Sequence, residues 1–342
     1  MASIKDVARL AGVSSAAVSL VLNNKGQGQI SIENQQKILE IAKRLNYRPS
    51  EIARSLLRKK SKILDLIIPA EDSIFSAFFF LQVVSGIWKV AQQKGYKLIL
   101  NLSEPYAKQE GKESSLSEGT YTDGSLILVD KKDNDLIARL KERAKPIVLV
   151  NAFDKDIDCI NVDYEEGAIT AVEHLIKLGH KKICCVRGDL VIESDRQRLA
   201  GYKEALKKHG LAVNEELIIN GGFSEKRSFE AVCELLKKRV DFSAVFAISD
   251  IMAIGAMTAL QQANLRVPQD IAVVGFDDIV LSFYVKPSLT TVKIPMTEIG
   301  ERAVSLLIDR IDIEEAGKTK EAAREVLKTQ LIIRESCGYF NK

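Results

Sequence analysis

The stretch that decides the fold is IKDVARLAGVSSAAVSLVLNNKG, residues 4–26. Its first half places apolar side chains on one helical face, at Ile4, Val7, Ala8 and Ala11. Gly12 interrupts this pattern, and Ser14 stands where a helix N-cap belongs, before a second apolar pattern at Val18, Val21 and Leu22. Two short helices joined by a glycine-containing turn are typical of a helix-turn-helix, whose second helix enters the major groove of DNA.

A third helical pattern follows these two. Ser31 is its candidate N-cap, and apolar residues recur at helical spacing at Ile38, Ile41, Ala42 and Leu45. An ordinary three-helix packing domain is an alternative interpretation of the three patterns. The distribution of charge along the chain decides between the two.

Charge is divided unevenly between the head and the rest of the chain. Residues 1–62 contain 12 Lys/Arg and 4 Asp/Glu, a net charge of +8, whereas the remainder contains 37 basic and 42 acidic residues, a net charge of −5. A basic patch confined to a helical head indicates binding to the phosphate backbone of nucleic acid. A solvated charged face is common in helical domains, but it does not explain why the sign reverses after Lys62.

Length and composition exclude several classes of protein. A chain of 342 residues exceeds what one core usually covers, so two or three domains are expected. No apolar run approaches the roughly 18 residues of a membrane span, and the N-terminus lacks a signal-peptide pattern, so we expect a cytoplasmic protein. The five cysteines show no metal-ligand spacing, so we expect neither a metal nor another cofactor.

A basic segment separates the head, residues 1–48, from the body. Pro49 disfavours helix at the residue before it, and Ser50 can cap the stretch that follows, EIARSLLRKKSK. That stretch carries a narrow apolar stripe but is too short to be a stable helix alone. Residues 49–62 are therefore either a hinge helix that folds on DNA or a basic tether, and the spacing favours neither.

From Ile63 onward, apolar runs alternate with helical segments. One series comprises residues 63–68, 97–101, 125–129 and 146–150, and a second comprises 159–162, 182–186, 216–220, 243–248 and 270–276. Two such series predict two doubly wound lobes with parallel sheets, which bind ligands beyond the carboxyl ends of their strands. Neither a GxGxxG after a strand nor a GxxxxGK[ST] is present, so neither a dinucleotide site nor a P-loop is supported.

The chain resembles the LacI/GalR family of transcription regulators along nearly its whole length. The matching stretches are IKDVARLAGVS, AVSLVLN, LNYRPSEIARSL, HLIKLGHKKI, RLAGY, SDIMAIGAMTAL, LRVPQDIAVVGFDD and PSLTTV. The resemblance implies an all-α helix-turn-helix head, a hinge helix, and a body, residues 63–342, of two α/β lobes like type I periplasmic binding proteins. The first lobe would comprise about 63–158 and 295–317, the second about 159–290 and 322–342. It also implies a repressor that binds a near-palindromic double-stranded operator as a homodimer, with a tetramer left open.

The resemblance also assigns the DNA contacts. Ser15, Ala16 and Leu20 match positions that read bases, and Ser14, Ser19 and Asn23 lie in the same recognition segment, where Ser19 and Asn23 match backbone contacts. None of the three reading positions is an Arg, Lys, Gln or Asn that could make a bidentate base pair. We therefore expect few direct hydrogen bonds to bases, so that more of the specificity comes from the hinge and from DNA shape.

In the hinge segment, Leu56 matches the leucine that wedges into the minor groove at the operator centre, and Ala53 lies on the same apolar stripe. A leucine that packs against the second copy is the alternative for Leu56.

The predicted effector site lies between the lobes. By resemblance it comprises Phe79, Phe80, Asp163, Arg198, Phe223, Asp250 and Asp277. Some of these residues have plainer interpretations. Arg198 could sit in a surface ion pair, Phe79 and Phe80 could be core residues, and Asp250 could be a carboxylate that stabilises a helix N-terminus.

The chain departs from the family in ways that bear on its effector. The stretch AEDSIFSAFFF, residues 70–80, lacks the sequence that the family usually has there. Ile192 stands where purine-sensing relatives carry a base-reading Arg. A sugar is the first expectation, with a sugar phosphate or another polar metabolite as alternatives, and a purine is disfavoured. A transport-type sugar-binding protein would lack the basic head. A sugar-modifying enzyme would need a nucleophile or phosphate loop, and no catalytic residues emerge.

Overall fold

A computed structural model describes residues 2–23, 28–47, 60–69, 78–103, 122–128, 137–138, 141 and 145–338. The chain divides into two units, one made of residues 1–62 with 121–123 and the other of residues 63–120 with 124–342. None of the helices in the described ranges combines the length and apolar character needed to cross a membrane.

The head contains three helices, α1 (Ile4–Ala11), α2 (Ser15–Leu22) and α3 (Ile32–Arg44). The predicted caps are confirmed, because the Ser14 hydroxyl accepts from the Ala17 amide at 3.1 Å and Ser31 caps α3 in the same way. Gly12 ends α1 with φ +69°, a left-handed conformation that a side chain would disfavour. The helices enclose a small apolar core in which Val7, Val18 and Ile38 are fully buried.

The first sheet of the body has six parallel strands. They are β1 (Ile63–Pro69), β2 (Lys97–Ser103), β3 (Gly124–Leu128), β4 (Ile147–Val150), β5 (Asp158–Val162) and β11 (Arg324–Leu327), in the spatial order β11-β5-β4-β3-β1-β2. All described pairings in this sheet are parallel, as buried runs of Ile, Leu and Val predict. Helices α4 (Phe78–Gln93) and α10 (Met296–Glu315) pack against each other in this lobe.

The second sheet also has six strands, in the order β12-β10-β9-β8-β6-β7. They are β6 (Ile183–Arg187), β7 (Ile218–Asn220), β8 (Ala244–Ala247), β9 (Ala272–Asp277), β10 (Thr290–Lys293) and the antiparallel β12 (Gln330–Ile332). The helices of this lobe are α5 (Tyr164–Lys177), α6 (Glu193–Lys208), α7 (Glu225–Lys237), α8 (Asp250–Gln262) and the short α9 (Leu281–Tyr284). Three-residue 3-10 turns span Glu215–Leu217 and Glu335–Cys337.

Two of the expected lobe boundaries are wrong. The run at 159–162 was expected to begin the second lobe, but β5 pairs with β4 in the first sheet, so the chain crosses at about Asp163. Residues 322–342 were expected in the second lobe, but β11 pairs with β5 in the first sheet, whereas β12 and the turn Glu335–Cys337 do lie in the second lobe. The reason is that buried parallel strands are all short apolar runs, so the pattern shows that a strand exists but not which sheet it joins.

Close helix packing fixes the base of the first lobe. A Cβ on Gly86 of α4 would clash with the backbone carbonyl of Thr297, and one on Gly300 of α10 would clash with that of Val83. The two helices therefore meet backbone to backbone. Because α4 begins at Phe78 and α10 at Met296, this contact holds both helix starts in a fixed relation.

Candidate functional site

The recognition helix α2 carries no charged residue and turns its apolar side inward. Val18 and Val21 are buried, whereas Ser14 and Ala16 are exposed and Ser15, Ser19 and Leu20 are partly exposed. The predicted reading positions are thus accessible at the surface of the head, and the residues between them hold the helix in place.

The end of α2 is fixed by its own side chains. The Asn23 amide donates to the Ser19 carbonyl at 2.7 Å and to the Ser19 hydroxyl at 3.3 Å. Asn23 therefore closes the last turn of the helix in addition to its predicted contact with the DNA backbone.

The predicted hinge residues Ala53 and Leu56 lie outside the described residues. At the end of the hinge segment, one Asp123 oxygen accepts from the Ser61 amide and hydroxyl at 2.7 Å each, and the other accepts from the Lys62 amide at 2.9 Å. Asp123 thus fixes the end of this segment. Sequence reasoning missed it because no motif joins residues 62 positions apart.

Arg198 lies at the centre of a buried cluster in the second lobe, and its side chain is only 5% exposed. Its guanidinium is 3.2 Å from Asp277 Oδ1 and 3.7 Å from Asp195 Oδ1. It also lies 4.6 Å from the ring centroid of Tyr164 and 4.5 Å from that of Phe276. Two carboxylates therefore stabilise its positive charge, and two aromatic rings restrict the orientation of the guanidinium plane. The alternative of a surface ion pair does not apply, since the pair is buried.

Asp277 and Asp278 follow each other at the carboxyl end of β9 in unusual backbone conformations. Their φ angles are +115° and +57°, and a non-glycine residue at positive φ costs about 1–3 kcal/mol. Ion pairs hold both side chains, because Asp277 binds Arg198 and Asp278 Oδ1 accepts from the Arg334 guanidinium at 2.6 Å. Strain offset in this way is characteristic of functional segments.

Asp250, the first residue of α8, is fully buried. Its carboxylate accepts from the Ile279 amide at 2.9 Å, the Ser282 hydroxyl at 2.6 Å and the Thr291 hydroxyl at 2.5 Å. Burial, and then the nearby charge of Asp277, raise its pKa to about 8. The structure thus places Asp250 beneath the loop that follows Asp277, where both of its oxygens bind groups of its own lobe.

The remaining predicted residues are spread over both lobes. Asp163 caps α5 by accepting from the Glu166 amide at 3.1 Å. Phe223 has φ +53° and a 39% exposed side chain. Phe79 and Phe80 are partly buried against the main core, with ring centroids 5.5 Å apart, which supports their interpretation as core residues.

A cavity of about 340 Å³ lies where the chain crosses from β10 of the second sheet to α10 of the first lobe. Its volume is within the range of small-molecule sites. Of the residues predicted for the effector site it contains only Asp277, and its lining is Phe78, Gln82, Asp277, Asp278, Ile279, Val280, Lys293, Ile294, Pro295, Met296, Thr297 and Glu298.

Sequence reasoning missed two groups of residues at this site. The first contains Asp195, one turn before Arg198 on α6, and the rings of Tyr164 and Phe276, which come from α5 and β9. The second is the crossing segment from Lys293 to Glu298. A usable signal was a polar residue at the end of a buried strand, such as Lys293 at the end of β10, because the carboxyl ends of neighbouring parallel strands meet at one edge.

Comparison with known proteins identifies the two parts of the chain. Residues 3–50 match bacterial regulatory proteins, lacI family, and residues 172–337 match the periplasmic binding protein-like domain. The HTH-type transcriptional repressor PurR of Vibrio vulnificus (strain CMCP6) is 33% identical over 347 residues, with 100% of both chains covered.

Two solved structures resemble the whole chain. The lac repressor dimer bound to operator and the anti-inducer ONPF has a TM-score of 0.83 at 27% identity, covering 98% of this chain and 99% of that one. The CelR–cellobiose complex has a TM-score of 0.73 at 30% identity, covering 98% and 100%. With its helix-turn-helix head and two-lobed α/β body, this chain belongs to the lacI family of bacterial regulatory proteins and is a DNA-binding transcription regulator, not an enzyme.

Proposed function

We propose that this protein is a repressor whose operator binding is controlled by a small polar metabolite, a sugar or sugar derivative, bound between the two lobes. The observation that carries this proposal is the buried Arg198–Asp277 pair beside a cavity at the lobe crossing. A ligand there would touch both lobes and so sense their relative position. The complex of the relative CelR with cellobiose supports a carbohydrate effector.

The transport-type sugar-binding protein is the second function to consider. It would share the two-lobed body, but it would have no use for a helix-turn-helix head with a net charge of +8. A purine effector stays disfavoured because of the residue at position 192. Ile192 precedes α6 and makes no side-chain cap hydrogen bond, and its hydrocarbon side chain cannot read a base edge.

On the DNA side, Ser15, Ala16 and Leu20 would contact base edges, with Ser14, Ser19 and Asn23 near the backbone. Leu56, with Ala53 beside it, would wedge into the minor groove at the operator centre. Leu56→Ala should then weaken operator binding and leave nonspecific binding nearly unchanged. Equal loss of both in a gel-shift titration would make Leu56 a packing residue.

Exposed apolar side chains support a homodimer that binds two operator half-sites. Leu81 and Trp88 on α4 and Ile99 and Leu100 on the edge strand β2 are 41–56% exposed in the first lobe. In the second lobe, Val280, Phe283 and Tyr284 are 62–69% exposed. Apolar patches of this kind mark protein interfaces.

Trp88 is the single tryptophan of the chain, so it reports on this interface directly. Dimer formation should bury it and shift its emission to shorter wavelength as protein concentration rises. Sedimentation velocity over the same range should show the dimer. A sedimenting dimer with unchanged Trp88 emission would place the interface elsewhere, and a monomer would refute the homodimer.

A ligand screen on the full-length protein tests the main proposal. Sugars and sugar derivatives are added in thermal-shift assays, and each hit is then tested for its effect on operator affinity. The proposal predicts at least one compound that raises the melting temperature and changes operator affinity. A compound that binds without any effect on DNA would favour the transport-type function.

A further inference from the structure

Three helices of the second lobe end at the same edge of its sheet. Helices α5, α6 and α7 precede β6, β7 and β8 along the chain, and these strands are parallel neighbours in the sheet. Such helices run opposite to the strands that they connect, so their carboxyl ends meet at the amino edge of the sheet. This edge is opposite to the one that carries Asp277 at the end of β9.

The three helix ends are rich in lysine and arginine. We call residues 173–182, 207–209 and 237–241 together the basic end of the lobe. It contains eight Lys/Arg and two Asp/Glu, a net charge of +6, whereas the rest of the body has 29 basic and 40 acidic residues, a net charge of −11. Its basic residues, all exposed, are Lys177, Lys181, Lys182, Lys207, Lys208, Lys237, Lys238 and Arg239.

Side-chain contacts join the three helix ends into one surface. Lys182 Nζ lies 2.7 Å from Asp241 Oδ2, which connects the segment after α5 to the segment after α7. The carboxylate oxygens of Glu173 lie 3.6 Å from Lys177 Nζ and from His209 Nε2, which connects α5 to the end of α6. The other six basic side chains of the surface form no ion pair with any residue that the structure describes.

Lysine near the carboxyl end of a helix also has a plainer role, because each helix end carries about −0.5 elementary charge. Three helix ends together carry about −1.5, which offsets about a quarter of the positive charge of the basic end. Four of the basic residues, moreover, lie beyond the last residue of their helix, Lys181 and Lys182 after α5 and Lys238 and Arg239 after α7. Stabilisation of helix dipoles therefore accounts for only part of this surface.

The composition of the basic end favours a nucleic acid over a protein partner. In the described part of the chain, none of its residues is a large exposed apolar side chain. Protein interfaces are built around an apolar, aromatic centre and are depleted in lysine, whereas binding to a phosphate backbone needs only exposed cations. The acidic remainder of the body opposes this binding weakly, because charges more than about 10 Å apart are largely screened at about 0.1 M salt.

We propose that the basic end of the second lobe is a second DNA-binding surface, which holds the phosphate backbone of a duplex without reading its sequence. The helix-turn-helix head binds the operator, and the basic end binds a further segment of DNA. This inference is independent of the proposed effector, because it uses no residue of the cleft. It predicts that a protein–operator complex captures a second duplex.

A capture assay on the full-length protein tests this inference. The protein is titrated to equivalence with an unlabelled operator duplex selected from a randomised pool. A fluorescent duplex of unrelated sequence is then added, and its anisotropy is followed between about 50 and 200 mM salt. The operator complex should bind the second duplex, and the logarithm of the affinity should fall linearly with the logarithm of the salt concentration.

A triple variant locates the surface. Lys181→Gln, Lys208→Gln and Lys238→Gln together remove one exposed charge from each helix end. Each phosphate contact contributes about 0.9 to the slope of log affinity against log salt. Loss of three contacts should therefore lower the slope by about 3 and weaken binding of the second duplex about tenfold.

A matched control variant removes three exposed lysines from the first lobe by the same substitution, at Lys94, Lys155 and Lys318. It changes the net charge by the same amount and should keep the wild-type affinity and salt slope for the second duplex. Operator affinity and melting temperature should be nearly equal in all three proteins, because the head is unchanged and all six lysines are exposed.

The assay gives clear grounds for rejecting the inference. It is wrong if no second duplex is captured, or if the two triple variants weaken capture equally. Release of the operator as the second duplex binds would place both duplexes on the head, and would also overturn it. Vesicles that contain phosphatidylglycerol are the comparison ligand. Vesicle binding that depends on Lys181, Lys208 and Lys238, without capture of a duplex, would make the basic end a membrane contact instead.

Discussion

The recognition helix α2 and the buried cluster around Arg198 and Asp250 hold their functional side chains in opposite ways. In α2, Ala16 is exposed and Leu20 is half-buried, while the buried Val18 supports the helix. In the cleft, Arg198 and Asp250 are buried and bonded to other groups of the site. Operator preference can therefore change at little cost in stability. Effector preference can change at little cost in stability only at exposed residues around the site, because substitutions within the buried cluster also destabilise the lobe.

The largest expected effect separates the two regions completely. Removing residues 1–59 deletes the recognition helix and most of the basic charge but keeps Ser61 and Lys62, which bind Asp123. The truncated chain should lose operator binding entirely and retain the ligand-induced rise in melting temperature. Gel shift and thermal shift measure the two properties. Residual specific binding would show that the body itself reads DNA.

Arg198→Ala should produce the next largest effect, on stability and ligand binding together. Removing one partner of a buried ion pair leaves the other charges uncompensated, at a cost of about 3–5 kcal/mol. Arg266→Ala is the matched control, because Arg266 pairs with Asp270 at 2.8 Å but is 72% exposed, and such pairs contribute at most about 1 kcal/mol. Urea denaturation measures both. Similar losses in the two variants would contradict the structural role of the cluster.

Asp250 offers a test by pH. Its folded pKa of about 8 lies above its ordinary value of 3.8, so its contribution to stability is complete below pH 3.8 and is lost progressively as pH rises from there to about 8. The neutral variant Asp250→Asn should therefore gain stability relative to the wild type as pH rises from about 4 to about 8. Asp6 in the head has the opposite sign, because hydrogen bonds from Ser3 lower its pKa. Parallel profiles of wild type and variant between pH 5 and 9 would show that Asp250 does not titrate in this range.

The smallest stability effect is expected at the DNA-reading surface. Ala16→Gln adds an amide to an exposed position, so the melting temperature should stay nearly unchanged. The amide can pair with an adenine edge, worth about 1–3 kcal/mol, so the preferred half-site should change. Val18→Ala is the control and should destabilise the head, because Val18 is fully buried. Operator selection from a randomised pool reads out the preference, and an unchanged half-site would remove Ala16 from the reading positions.

The same contrast explains what the sequence could predict. The helices of the head depend on local signals, such as the Ser14 cap and the break at Gly12, so their positions followed from spacing alone. The strands of the body were also visible, but β5 was assigned to the wrong sheet because its apolar run resembles all the others. Asp195 lies one helical turn before Arg198 on α6, and Asp277 was predicted with Arg198 in the effector site, but the two rings beside the guanidinium could not be predicted, since Tyr164 and Phe276 meet Arg198 only through tertiary packing.

The central claim is that the cleft and the head are energetically coupled. Coupling between two binding sites is reciprocal, so an effector that changes operator affinity by some factor must have its own affinity changed by operator to the same degree, typically 5–150-fold. Calorimetric titration of the effector identified in the screen, with and without saturating operator, measures one factor, and operator titration with and without effector measures the other. We predict two equal factors different from one. An effector that binds the cleft with the same affinity in the presence and absence of operator would contradict the account.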